Sequence, residues 1–212
     1  MDTTSAKMKD KTNGPVNIRR LDHEIYFSDR INYHTAHVLQ TILKTCETDI
    51  LEDLDKLKGL CSREKDKEKI RLADVDVHPK PIILHITTHG GIVHAALAIV
   101  DTIESLKVPV HTVVSGYVAS AGTLISLAGA KRYMSPNSFM MVHEIRSGFW
   151  GKYSEARVEY ENVTKLMEHI IQYYLSKTKL TKEKLTDMLR TDTDMTVQEC
   201  LELGLIDVPR CP

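Results

Sequence analysis

The chain has 212 residues and a formal net charge of −1, enough for one compact α/β domain and too little for two independent cores. Charges of both signs are interspersed, so composition argues against a nucleic-acid or anionic-lipid partner. The four cysteines form no C-x-x-C pair and no run approaches the roughly 20 apolar residues of a membrane span, which points to a cytoplasmic or equally reducing compartment and to no membrane.

Residues 1–19 carry almost no large apolar side chains and read as a flexible arm without a signal-peptide core, order beginning near Ile18 or Leu21. A short strand is predicted at Glu24-Ile25-Tyr26-Phe27. Asn32 is then placed to cap a helix whose apolar side includes Val38, Leu39, Ile42 and Leu43, and which is expected to stop near Cys46 to Asp49. Residues 51–80 are dominated by charge and read as a solvated helix-and-loop insertion. Pro81 to Ile86 reads as a buried strand, Thr87 to Gly91 as a loop, Ile92 to Leu106 as an amphipathic helix, and Val110 to Val114 as the next strand. Strand, helix, strand in that order implies a crossover with parallel strands. The alternation continues through a helix at Ala121 to Ala128 and strands at Arg132 to Met134 and Phe139 to Val142. Helices follow near Ser154 to Ser176 and Thr181 to Leu189, and Thr196 with Glu199 forms a capping box for a last one. The class is α/β, with one domain over residues 20–208.

Three segments carry groups suited to nucleophilic chemistry. Ser120 sits in Gly116-Tyr117-Val118-Ala119-Ser120-Ala121-Gly122, where a strand gives way to a helix among small residues. A carbonyl can approach a hydroxyl there, and backbone amides can meet the developing charge. The segment is not a G-x-S-x-G elbow, since position 118 is Val. Gly90-Gly91 lies between a buried strand and a helix and suits close approach of an inward N–H, with the amide of Ala121 as a second donor. His143 follows the apolar strand Phe139-Met140-Met141-Val142, which would hold a general base rigidly. Asp192 can orient that imidazole, and Asp194 is a rival for the role. His85, His89 and His94 spread over a strand, a loop and a helix without a ligand spacing, so no metal site is expected.

Taken in order, Thr88-His89-Gly90-Gly91, Gly116 to Gly122, Ala128-Gly129-Ala130-Lys131-Arg132, Ser135-Pro136-Asn137-Ser138, Met141-Val142-His143-Glu144, Asp192 and Gln198 to Asp207 resemble the proteolytic subunit of the Clp protease. The resemblance covers Leu21 to Asp207 apart from the charged insertion. It implies a crotonase-like (ClpP-like) fold of repeated ββα units, with a protruding strand-helix handle at residues 145–176. It also implies a serine endopeptidase with Ser120 as nucleophile, His143 as base and Asp192 as orienting acid, and an oxyanion hole at Gly91 and Ala121. Asp192 is preferred over Asp194 because counting back from Gly204-Leu205-Ile206-Asp207 puts it in register with the family's acid. The family assembles heptameric rings, stacked in pairs, that enclose the sites. Its subunit holds no cofactor, and ATP enters only through a partner AAA+ unfoldase.

Two departures from the family pattern bear on function. Thr87-Thr88-His89-Gly90-Gly91 replaces Asn-Ser-Pro-Gly-Gly, so the loop lacks its proline. Ile83 and His85 stand where the family places aromatic side chains for unfoldase docking, which argues against the usual ATPase contact. The alternative function is a catalytically silent or regulatory ring subunit; all three catalytic residue types being present argues against it. Acyl-CoA chemistry would want a carboxylate near the Gly-Gly loop, and a membrane signal-peptide peptidase would want a lysine base.

Overall fold

The structure is a computed structural model that describes residues 16–65, 78–210 and 212. Strands β1 (Ile18–Leu21) and β2 (Glu24–Phe27) form an antiparallel hairpin and lead into α1 (Tyr33–Lys65). Then come β3 (Ile82–Thr88), α2 (Val93–Ser105), β4 (Val110–Ala119), α3 (Ala121–Leu127), β5 (Lys131–Met134) and β6 (Phe139–Met141). Helices α4 (Tyr153–Lys177) and α5 (Lys182–Thr191), strand β7 (Asp194–Met195) and helix α6 (Val197–Glu202) complete the fold. One seven-stranded mixed sheet runs β1-β2-β3-β4-β6-β7, with β5 also paired to β4. The β2–β3, β3–β4, β4–β5 and β4–β6 pairs are parallel, as the strand-helix-strand pattern predicts.

Residue chemistry accounts for the helix starts. Asn32 Oδ1 accepts from Thr35 N at 2.9 Å, while Thr35 Oγ1 accepts from Asn32 N at 3.0 Å, so α1 opens on a reciprocal cap. The Thr196–Glu199 box also forms, with Thr196 N donating to Glu199 Oε2 at 2.8 Å. Helix α1 does not stop near Cys46 to Asp49 as expected, but continues to Lys65, with Ile50 and Leu51 still packed on the core. Leu54 is its last buried apolar residue among those described, so the helix outlasts the face that packs it. Expected insertion residues 51–65 therefore extend this helix, and 66–77 lie outside the described residues. Of the predicted arm, residues 1–15 lie outside the described residues, while Ile18 and Arg19 already belong to β1.

Alternation along β3 builds the core. Ile82, Leu84 and Ile86 are fully buried on the face that meets the helices, with Ile99, Leu124 and Ile125 among their companions. Each such side chain contributes about 1.5–3 kcal/mol relative to exposure. On the opposite face Ile83 joins Val113 and Tyr133 in a small second cluster, and His85 stacks on Tyr26 with ring centroids 4.5 Å apart. Gln40 ties α1 to α2 by donating to Ala98 O and Thr102 Oγ1, both at 2.8 Å.

Strand β4 does two jobs. Its first half pairs with β5 through His111 to Val114, and its second half pairs with β6 through Tyr117 to Ala119. Between them the register against β3 shifts, and Gly116 adopts φ +71°, a conformation glycine takes without steric cost. Ser138 Oγ accepts from Gly116 N at 2.8 Å and holds the bulge. The strand predicted to end at Val114 thus runs on to Ala119 and delivers its last residue directly to Ser120.

Candidate active site

Ser120 occupies a sharp strand-to-helix turn at φ 56° and ψ −129°. A non-glycine residue at positive φ costs of order 1–3 kcal/mol and persists only where its surroundings impose it. Here they do: Ser120 N donates to Met141 O at 2.9 Å, continuing the β4–β6 ladder, and Ser120 O accepts from Thr123 N at 3.0 Å and from Thr123 Oγ1 at 2.6 Å. Thr123 Oγ1 is also hydrogen-bonded to the buried hydroxyl of Tyr174 on α4, whose burial pushes its pKa up to about 12.

The Gly90-Gly91 loop lies against this turn. A Cβ on Gly90 would stand 2.7 Å from Ser120 Cβ, and one on Gly91 only 2.0 Å from Ile31 O. Both glycines have positive φ, +90° and +153°. Ile31 N donates to Gly90 O and Ile92 N to Ile31 O, each at 2.9 Å, so the segment after β2 clamps the loop from its other side. Small residues are therefore a packing requirement where the loop, the clamp and the turn meet. His89 packs on Tyr117 with ring centroids 5.2 Å apart.

His143 leaves β6 one residue beyond Val142. Because Ala119 faces Met141 in the β4–β6 register, Ser120 and His143 emerge at the same end of adjacent strands. Both line one cleft of about 250 Å³, together with Gly91, Ala121, Leu124, Ile170 and Tyr174. Asp192 is the left-handed C-cap of α5, at φ 47° and ψ 40°. Glu144 N donates to Leu189 O at 2.9 Å and draws the end of α5 toward the residue after His143. Asp192 Oδ1 then stands 3.9 Å from His143 Nδ1, an ion-pair distance too long for a hydrogen bond. The rival Asp194 is engaged elsewhere, accepting from Tyr117 OH at 2.9 Å; desolvation and this carboxylate push the Tyr117 pKa up to about 12.

The Clp protease family model matches residues 64–208 of this chain. The chain belongs to the Clp protease family. An ATP-dependent Clp protease proteolytic subunit from Deinococcus radiodurans is 36% identical over 141 residues, which is 66% of this chain and 69% of the relative. A point mutant of ClpP1 from Listeria monocytogenes superimposes with a TM-score of 0.69 at 23% identity, covering 89% of this chain and 91% of that one, and shows the shared ClpP-type α/β fold.

One expectation drawn from the Clp protease resemblance takes a different form. No strand forms between β6 and α4, where the handle was expected to carry one; a strand requires a ladder partner and this stretch finds none among the described residues. The helix expected over this stretch forms as α4. Sequence reasoning also missed Arg146, which lines the cleft and forms an ion pair with Asp192 Oδ2. Nothing local signals that contact, because the two residues are 46 positions apart.

Proposed function

We propose that the chain is a serine peptidase subunit in which Ser120, His143 and Asp192 act as a catalytic triad. The observation that carries this reading is the emergence of Ser120 and His143 from neighbouring parallel strands into one cleft, with Asp192 behind the imidazole at 3.9 Å. The name of the Deinococcus radiodurans relative supports the same reading.

In the mechanism, His143 Nε2 takes the proton of Ser120 as Oγ attacks the peptide carbonyl. The carbonyl oxygen becomes an oxyanion held by the amides of Gly91 and Ala121. The C–N bond then breaks, and the imidazolium returns its proton to the leaving amine. A water molecule, deprotonated by His143, attacks the acyl ester and frees Ser120. Asp192 holds the imidazole and offsets its positive charge in both steps. Nothing in these steps calls for a cofactor.

Enclosure of the triad in an oligomeric, ring-shaped chamber belongs to the same proposal, whereas docking of an ATP-driven unfoldase partner does not, since Ile83 and His85 stand where the family places its docking aromatics. The Tyr26–His85 stack beside Ile83 gives the outer sheet face its own chemistry, so any such partner meets a surface unlike the family's usual one. The test is hydrolysis of small fluorogenic peptides by the assembled protein. Ser120→Ala is expected to lower turnover by at least about 1000-fold, since triad members act as a unit. Parent-like turnover by the variant would overturn the assignment.

A further inference from the structure

The inference concerns Arg146 and rests on the triad reading above. Two donors from one stretch of chain approach the same carboxylate: His143 as β6 ends, and Arg146 three residues later. The Arg146 guanidinium has Asp192 Oδ2 in a close ion pair, whereas the imidazole has not closed on Oδ1 at 3.9 Å. His143 Nδ1 is buried and makes no hydrogen bond among the described residues. A buried ring nitrogen without a partner is costly, so its persistence needs something that holds the acceptor away. Arg146 is the cation in contact with that acceptor.

The surrounding contacts explain why the carboxylate does not simply serve both donors. Asp192 is fixed by its left-handed cap conformation at the end of α5, and the bond from Glu144 N to Leu189 O fixes that end against the segment carrying both donors. Arg190 Nε stands 3.7 Å from Glu144 Oε1 and ties the same two segments a second time. With the backbones held, the Asp192 side chain is left to turn toward one donor or the other. Arg146 also acts through charge: a guanidinium on Asp192 cancels much of the field that would stabilise an imidazolium at His143. Distance and charge therefore work in the same direction.

We propose that Arg146 is a positioning residue that restrains catalysis by competing with His143 for the Asp192 carboxylate. Its side chain is 74% exposed and that of Asp192 41%, so the restraint is a solvent-accessible ion pair, weakened by salt.

The experiment compares the assembled parent with Arg146→Met, which keeps the apolar stem and loses the charge, and with Arg146→Lys. Freeing Asp192 lets it accept a charge-assisted hydrogen bond from His143, and the exposed ion pair given up bounds the gain at about two- to fivefold in rate. The expected result is a rise of about that size in kcat for Arg146→Met, read separately from KM because Arg146 also lines the cleft, and the parent's lower kcat restored in Arg146→Lys. Raising the salt should speed the parent and leave Arg146→Met unaffected. Crystal structures should show His143 Nδ1 within about 3 Å of Asp192 in Arg146→Met. An unchanged kcat, or an unchanged gap in the variant's crystal structure, would overturn the proposal. Closure of the gap in a protein that hydrolyses no peptide would uphold the positioning role of Arg146 and defeat the peptidase reading; equal hydrolysis with an unchanged gap would do the reverse.

Discussion

A single methyl group at Gly91 tests whether the loop, the clamp and the serine turn are one mechanical unit. An alanine Cβ there would lie 2.0 Å from Ile31 O, 2.8 Å from Ile31 C and 3.0 Å from Ile31 N. Contacts under 3.0 Å to backbone are not relieved by rotating a side chain, so the two segments must part. Parting them removes the bonds from Ile31 N to Gly90 O and from Ile92 N to Ile31 O, each worth about 1 kcal/mol. The φ of +153° adds a further cost of about 1–3 kcal/mol for a residue with a Cβ. The total of about 3–5 kcal/mol corresponds to a fall in thermal midpoint of about 10 °C for a chain of this size. Gly59 supplies the control: it lies in α1 with nothing within 4 Å of its Cβ position, so Gly59→Ala is expected to be neutral or to stabilise by about 0.5–1 kcal/mol. Thermal unfolding is measured at one protein concentration for all three proteins, because the midpoint of any protein that associates depends on it. The rate at which Ser120 reacts with a fluorophosphonate is read in parallel and should fall in Gly91→Ala. A Gly91→Ala protein with the parent's midpoint and labelling rate would refute the claim that this loop is clamped as described.

Further outcomes follow from the buried polar contacts. The Arg132 side chain donates to Lys177 O at 2.8 Å and Gly204 O at 2.9 Å and also forks onto Asp207, so Arg132→Met should cost about 2–4 kcal/mol in urea unfolding by stranding those acceptors. Burial alone pushes the Asp207 carboxyl up, but hydrogen bonds from the Arg132 side chain and amide, with the Arg132 and Lys131 charges, outweigh it and hold the pKa below its usual value. A lowered folded pKa means that this stabilisation is present above the unfolded carboxylate value of about 4 and lost as pH falls through the folded one. Stability should therefore decline below about pH 4 more steeply in the parent than in Arg132→Met. Tyr174→Phe should cost about 1 kcal/mol and leave peptide turnover within about threefold, because Thr123 Oγ1 retains its bond to Ser120 O at 2.6 Å.

What could be read from the sequence was what local chemistry decides. The apolar run that becomes β3, the Asn32 cap and the Thr196–Glu199 box each depend on residues within a few positions of one another, and each is found where expected. Helix α1 runs past the expected stop near Cys46 to Asp49 because Ile50, Leu51 and Leu54 continue its packed face and no proline or other strong breaker interrupts it before Gly59, itself tolerated. The second half of β4 was hidden by Ser115-Gly116, which breaks the alternation; the β6 ladder, the Thr88–Val118 pairing with β3 and the Ser138 hydroxyl make the strand continue. At the candidate site, Ser120, His143 and Asp192 could be named from ordered motifs; in the structure Ser120 and His143 line one cleft and Asp192 stands 3.9 Å from His143. The hold of Arg146 on Asp192 was not legible, because it depends on how the end of α5 docks against the residues after β6.

The central claim is that Ser120 is a nucleophile activated by His143. Its most direct measurement is treatment of the folded protein with a fluorophosphonate, followed by peptide mapping of the adduct by mass spectrometry. A single adduct on Ser120, abolished in His143→Ala, is the predicted result. Absence of any adduct, or labelling of Ser120 that persists unchanged without His143, would contradict it.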